Sequence, residues 1–198
     1  MLGVLAGIAP AVTQGVFVVW STSFVVQYGM SDAAAVSLHV PTAIGLVAAI
    51  ALSSTLSDRF GRRPVMIAGM LTGIVLAWPL LRLLQTGTIA GVLVAIFIAK
   101  FVIQGFAFGP LAAFCAELFP TRVRYTGAGL VFSLASTLGA GFTPMLATAV
   151  WNNTNSVFVL AVSLMVVYAI SATAVLSSSE GTRVSLDADD SPPVARVS

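Results

Sequence analysis

Residues 56–64 read LSDRFGRRP. Only 8% of this 198-residue chain is charged, yet one aspartate and three arginines fall within positions 58–63. An apolar stretch at about 33–56 runs into this segment, and another, at about 65–84, starts just after Pro64. A bilayer core is about 30 Å thick and a spanning helix needs roughly 20 apolar residues. The charged segment therefore reads as the short polar link between two membrane-spanning helices.

The same reading extends to both ends of the chain. Spans are expected at about 4–28, 33–56, 65–84, 89–116, 127–150 and 156–176. Ser31 or Asp32 can cap the second of them. Composition agrees: 58% of residues are hydrophobic and the mean hydropathy is +1.02, where a soluble domain carries about 25% charged residues. Runs this long and uniformly apolar are not the alternating segments of a β-barrel. The expected fold is thus an all-α membrane protein, with residues 1–178 forming one six-helix transmembrane domain. Residues 179–198, which contain DADDSPP, lack the apolar area to fold and are expected to form a disordered cytoplasmic tail.

Several function classes fall away. The single cysteine, Cys115, supports neither a disulfide framework nor a metal cluster. A net charge of +2 does not suit nucleic acid, and no cofactor or metal is expected. The opening MLGVLAGIAPA has no basic n-region, and its apolar run continues past any cleavage site, which argues against a cleaved signal peptide.

Arginine placement sets the orientation. Arg59, Arg62 and Arg63 lie in one loop and Arg122 and Arg124 in the loop at 117–126, while the opposite side holds only Arg82. Cytoplasmic loops carry the Lys/Arg excess, so both basic loops and both termini are expected in the cytoplasm. Trp78 and Trp151 then fall near the outer interface.

The spans differ in polar content. The third and sixth are almost wholly aliphatic and are expected to face lipid at the periphery. The first places Gln14, Phe17, Ser21 and Phe24 at helical spacing on one face. The fourth carries Lys100 and Gln104 one turn apart, and the fifth carries Ser136 and Thr137. Lys100 lies about 11 residues into its span, roughly 16 Å deep at 1.5 Å per residue. A lysine there costs about 2.5–3.5 kcal/mol on insertion scales and usually faces a cavity or a partner. Snorkelling, or a structural pair with a carboxylate outside this chain, is the plainer reading. His39 could titrate near neutral pH; a hydrogen-bonded histidine near the outer interface is the simpler alternative. Gln14, Ser21, Lys100, Gln104 and Thr137 are expected to line a substrate pathway formed by the first, second, fourth and fifth helices. Pro41, Pro79, Pro110 and Pro144 lie inside spans, where each removes a backbone bond and can kink its helix.

The segment SDRFGRRP between two spans resembles the cytoplasmic signature of major facilitator superfamily transporters, G-x-x-x-D-R-x-G-R-R. Asp58, Arg59, Gly61, Arg62 and Arg63 match it, and Ser54 stands at the leading glycine. AELFPTRVRYTGAG, at 116–129, is similar to the companion loop of the C-terminal half, with Glu117 and Arg124 in its E-x6-R pattern. The RYTGAG form is most similar to the metabolite:proton symporter group, then to sugar porters. The resemblance covers about residues 5–180 and corresponds to the last six of twelve helices, one half of the fold, itself a 3+3 inverted repeat. It implies a cytoplasmic gate of Asp58, Arg59, Gly61, Arg62, Arg63, Glu117 and Arg124 that latches the inner side shut. A topogenic arginine cluster without gating is the alternative.

The resemblance also implies a secondary active transporter in the plasma membrane, moving a small organic acid or zwitterion with a proton by alternating access. Such a fold holds its substrate between two halves. This chain supplies one, so a missing N-terminal half or a second copy is an expected partner, alongside the bilayer. Asp32, Asp58 and Glu117 all lie near helix ends, which leaves the main proton site to the other half. The competing readings are a truncated membrane protein that moves nothing and, less well supported, an intramembrane hydrolase built on His39. The hydrolase lacks a G-x-S-G turn and a paired nucleophile and base, so no enzyme is expected.

Overall fold

A computed structural model describes residues 1–178, except for the side chain of Thr121; the expected tail at 179–198 lies outside the described residues. The described chain is helical, with six helices long and apolar enough to cross a membrane: α1 (Leu2–Val26), α2 (Asp32–Phe60), α3 (Arg62–Leu84), α4 (Ile89–Glu117), α5 (Arg124–Thr154) and α6 (Val157–Ser177). They run up and down through short links. Ser31 caps α2 by accepting the amide of Ala34 at 3.3 Å, and Thr88 caps α4 by accepting that of Gly91 at 3.2 Å. Between α2 and α3 a single residue, Gly61, makes the reversal at φ 93°. A side chain is strained in that region of backbone space, which explains a glycine inside the charged motif. A short 3₁₀ turn, Thr121–Val123, joins α4 to α5.

Two seams of small residues bring helix axes together. On α1, Gly3, Gly7, Ala11 and Gly15 face Val131, Ala135, Gly139 and Thr143 of α5. A Cβ at Gly7 would lie 2.8 Å from that of Ala135, one at Gly15 would lie 2.9 Å from that of Thr143, and one at Gly139 would overlap Ala11. On α2, Gly45, Ala49 and Ser53 face Phe97, Gly105 and Gly109 of α4. There the Ser53 hydroxyl donates to the Gly105 carbonyl at 2.9 Å, and Ser54 reaches the Gly109 carbonyl at 3.4 Å. Ser54, at the position of the motif's leading glycine, is thus accommodated as a hydrogen-bond donor. Close approach through small residues is how helices associate when lipid offers no hydrophobic driving force between them.

α3 and α6 form a third pair, with Gly73 against the ring of Tyr168. The Tyr168 hydroxyl and that of Thr13 lie 2.8 Å apart, tying α6 to α1. These two aliphatic helices are not the least buried. Some 44% of the most apolar stretch of each is buried, against 28% for α2 and α5 and 61% for α1. Aliphatic composition cannot tell a helix neighbour from a lipid tail, because both are equally apolar. α3 and α6 bury one face on each other and on α1 and turn Leu71, Val75, Val162, Val166 and Ile170 outward. The more polar α2 and α5 have the larger exposed faces.

Three spans contain π-helical segments: Gly15–Trp20 in α1, Ala99–Gln104 in α4 and Thr137–Gly141 in α5. Each adds a residue to the turn and shifts the hydrogen-bond ladder, a distortion found frequently at functional sites. Regular helix also breaks at Leu38, Gly109–Pro110 and Phe142, next to Pro41, Pro110 and Pro144, while Pro79 sits in an unbroken α3.

Candidate functional site

Three places hold the residues singled out in the sequence: the bundle interior between α1, α2 and α4, a cleft between α1, α4 and α5, and the end bearing the arginines.

In the interior, Lys100 is 4% exposed and Gln104 3%. Lys100 neither snorkels nor meets a carboxylate among the described residues. Its ammonium crosses to α2, donating to Thr42 Oγ1 at 3.0 Å and approaching His39 Nδ1 at 3.4 Å. Thr42 lies 10 residues into α2 and Lys100 11 residues into α4. Both helices start at the same end, so the two sit at matching depths of roughly 15–16 Å. The hydrogen atoms follow from the partners. Thr42 spends its hydroxyl proton on the carbonyls of Leu38 and His39 (3.1 and 3.0 Å), so it accepts from Lys100. Thr22 spends its own on Val18 O at 2.6 Å, so across 2.8 Å it accepts from His39 Nε2. The network therefore assigns the Nε2–H tautomer to His39 and leaves Nδ1 bare toward the lysine. His39 is half-buried and hydrogen-bonded, as the simpler sequence reading has it, but its second partner is Lys100, a charge buried at mid-span. Gln104 donates to Gln14 Oε1 at 3.4 Å, and its own buried Oε1 has no partner among the described residues.

The cleft, of ≈ 280 Å³, is lined by Gly7, Gln14, Phe108, Phe132, Ser136 and Ala140, among others. Phe108 and Phe132 meet edge to face across it, with ring centroids 5.7 Å apart. Of the five expected pathway residues, Gln14 lines this cleft, and Lys100 and Gln104 sit one helix turn apart on the π segment behind it. Ser21 and Thr137 stand apart. Ser21 is fully buried with its hydroxyl given to Phe17 O at 2.9 Å, which leaves its hydroxyl no proton to give a ligand. Thr137 is exposed, and its neighbour Ser136, one position round the helix, lines the cleft instead. Thr42 and Phe132 were not singled out in the sequence, and Thr22 and Ser136 entered only through the polar content of their spans. Thr42 alone was findable there, from its depth.

At the arginine end, Arg62 and Glu117 form an ion pair, with side chains 35% and 41% exposed. It joins the start of α3 to the end of α4, so both basic loops lie at one end of the bundle. Asp58 and Arg59 are exposed on the last turn of α2 and make no ion pair among the described residues. One guanidinium nitrogen of Arg63 and Nε of Arg124 are buried without a hydrogen-bond partner among those residues. Of the seven expected gate residues, the structure thus brings two into contact. Gly61 serves the turn, and the other four lie at the same end of the bundle with no ion pair among the described residues. At the opposite end, Phe24 and Trp151 pack edge to face and Arg82 lies 5.6 Å over the ring of Trp78.

The sequence model of the Major Facilitator Superfamily matches residues 1–144. The chain belongs to that superfamily. It is 34% identical over 125 residues to a citrate-proton symporter of Klebsiella pneumoniae, covering 63% of this chain and 28% of the relative. It is 28% identical over 157 residues to an ectoine/proline transporter of Corynebacterium glutamicum, covering 79% and 31%. With a proline/betaine transporter of Escherichia coli it shares 32% over 124 residues, covering 63% and 24%. The chain thus spans about a quarter to a third of the length of these curated relatives. No solved structure matches it. With six helices able to cross a bilayer, this superfamily member is a multi-pass membrane protein.

Proposed function

We propose that this chain is the C-terminal six-helix half of a secondary active transporter that carries a small organic acid or zwitterion, with a proton, by alternating access across the plasma membrane. Both basic loops and both termini face the cytoplasm on this reading, following the arginine excess. A 3+3 inverted repeat is supported by the packing. The first helix of each triple crosses the second helix of the other, α1 on α5 and α4 on α2, through a small-residue seam, while the third helices pair with each other. α1 and α4 start at opposite ends, and each contains a six-residue π segment. The large exposed faces of α2 and α5 suit the missing half or a second copy.

The observation that carries the substrate class is Lys100. A cation held at mid-span by neutral partners has no counter-charge among the described residues, and a substrate carboxylate supplies one. Gln14, Gln104 and the Phe108–Phe132 pair add hydrogen-bonding groups and aromatic surface for the rest of a zwitterion. The arginine end acts as the inner gate, with Arg62–Glu117 as its closed contact. Uptake of labelled citrate and glycine betaine into proteoliposomes containing this chain, with and without Lys100→Ala, is the test. Uptake that falls at least about tenfold in the variant is expected, one lost charge-assisted contact being worth about 1.5–3 kcal/mol. No uptake by the unaltered chain overturns transport by this half alone, and unchanged uptake in the variant overturns the role of Lys100.

A further inference from the structure

Lys100 is the only lysine in the chain and His39 the only histidine, and the bundle sets them side by side in its interior. We propose that His39 is a proton-operated latch on Lys100, and so a proton-binding site within this half: a proton taken up at Nδ1 breaks the contact with Lys100 and frees its ammonium for a ligand carboxylate.

The hydrogen-bond assignments force the two states. With Nε2–H donated to Thr22, Nδ1 is the one acceptor on the imidazole, and Lys100 Nζ lies 3.4 Å from it. Nδ1 has a single lone pair, so it holds either the lysine's N–H or a proton of its own. When a proton arrives from the half-buried side of His39, Nδ1 becomes a donor facing a donor, and the ring becomes a cation facing a cation. Lys100 then keeps Thr42 and loses His39. The ledger is one proton bound and one hydrogen bond broken, with no other chemistry. The remaining ionisable groups near this end of the bundle are Tyr28 after α1, Asp32 on the first turn of α2 and Arg82 on the last turn of α3. None of them bonds to the pair among the described residues. Other than Lys100, α4 has no charged residue before Glu117, at the far end.

The latch also bears on coupling. A symporter needs its proton and its substrate to favour the same state. Here a single lysine is the object of competition between an imidazole and a carboxylate, so protonation of the first favours binding of the second. That carboxylate role rests on the transporter reading above; the latch does not.

One histidine and one lysine make the pair directly readable. The full chain, labelled with ¹⁵N in histidine and at lysine Nζ and placed in lipid bilayers, gives one imidazole and one ammonium signal in solid-state NMR. At about pH 8, above the ordinary histidine range, the ring should show Nε2 protonated and Nδ1 bare, with Nζ within hydrogen-bonding distance of Nδ1. On acidification until both ring nitrogens carry hydrogen, the separation should lengthen beyond that reach. A Nδ1–H tautomer in the neutral ring, or a contact that survives in the imidazolium, overturns the latch. The second arm is glycine betaine uptake against pH, chosen because its quaternary nitrogen does not titrate. Uptake should rise as pH falls, and His39→Gln should flatten the profile; an unchanged profile in that variant overturns the latch. Correct NMR behaviour with no uptake at any pH overturns transport by this half alone and leaves the latch standing.

Discussion

At the arginine end, the seven residues singled out from two sequence motifs yield one ion pair among the described residues, whose side chains are 35% and 41% exposed. In the interior, two residues that no motif joins sit in a continuous run of hydrogen bonds from Val18 on α1 through Thr22, His39 and Lys100 to Thr42 on α2. The difference is one of solvent. An exposed ion pair competes with water and is worth about 0–1 kcal/mol, so a gate built of such pairs can open readily. A buried ammonium has no water to fall back on, and each neutral partner matters in proportion. One region is built to change partners; the other is built to hold a charge until something displaces it.

The comparison breaks most visibly at Thr42. Thr42→Val keeps the shape and removes the acceptor that Lys100 uses at 3.0 Å. The expected cost is about 1–3 kcal/mol, the range for leaving a buried polar group unsatisfied. Unfolding in mixed micelles should register it, and adding Lys100→Met should recover most of the loss, because the uncompensated charge goes too. A single-variant cost within error of zero would mean that the ammonium finds other partners, and that the interior is as loosely bonded as the arginine end.

Glu117→Gln should be milder. Loss of the Arg62 pair should cost less than about 1 kcal/mol and vanish at high salt, as screening requires. Its larger effect should be on conformation. Cys115, the only cysteine, is buried on α4 two residues before Glu117 and borders a cleft with Tyr125 and Gly129. Its alkylation by a maleimide should quicken severalfold in Glu117→Gln if the pair holds this end shut. An unchanged rate would leave the arginines with a topogenic role alone.

What the sequence made legible follows the same division. Span number, a reversal within the charged segment and the convergence of both basic loops could all be read, because charge and hydropathy fix which segments a bilayer rejects. The partners of Lys100 were half legible. Its cost demanded a partner, and counting 1.5 Å per residue from the aligned starts of α2 and α4 sets Thr42 at its level. His39 lies three residues before Thr42 in the same unbroken segment, so the two share a face; what counting could not give is that this face of α2 meets α4. The exchange of Thr137 for Ser136 and the withdrawal of Ser21 were illegible for local reasons. Which of two adjacent hydroxyls meets a cleft depends on the rotation of the helix, and a hydroxyl bonded to its own helix does not show in a periodic pattern. The burial of α3 and α6 was illegible in principle, since lipid and aliphatic helix are one solvent to a leucine.

The smallest expected effect decides the most about the motif. Asp58 is exposed at the end of α2 and forms no ion pair among the described residues. From this conformation alone, Asp58→Asn should change stability by less than about 0.5 kcal/mol, as for a surface substitution away from any specific contact, and should leave Cys115 alkylation unchanged. If Asp58 instead pairs with an arginine in a second state of the gate, the variant should alter alkylation as strongly as Glu117→Gln does, with stability still flat. A merely structural role would not give that combination, because a lost structural contact lowers stability first. A change in accessibility without a change in stability would therefore extend the gate from the Arg62–Glu117 pair to the aspartate of the motif, whereas two flat readouts would confine it to that pair.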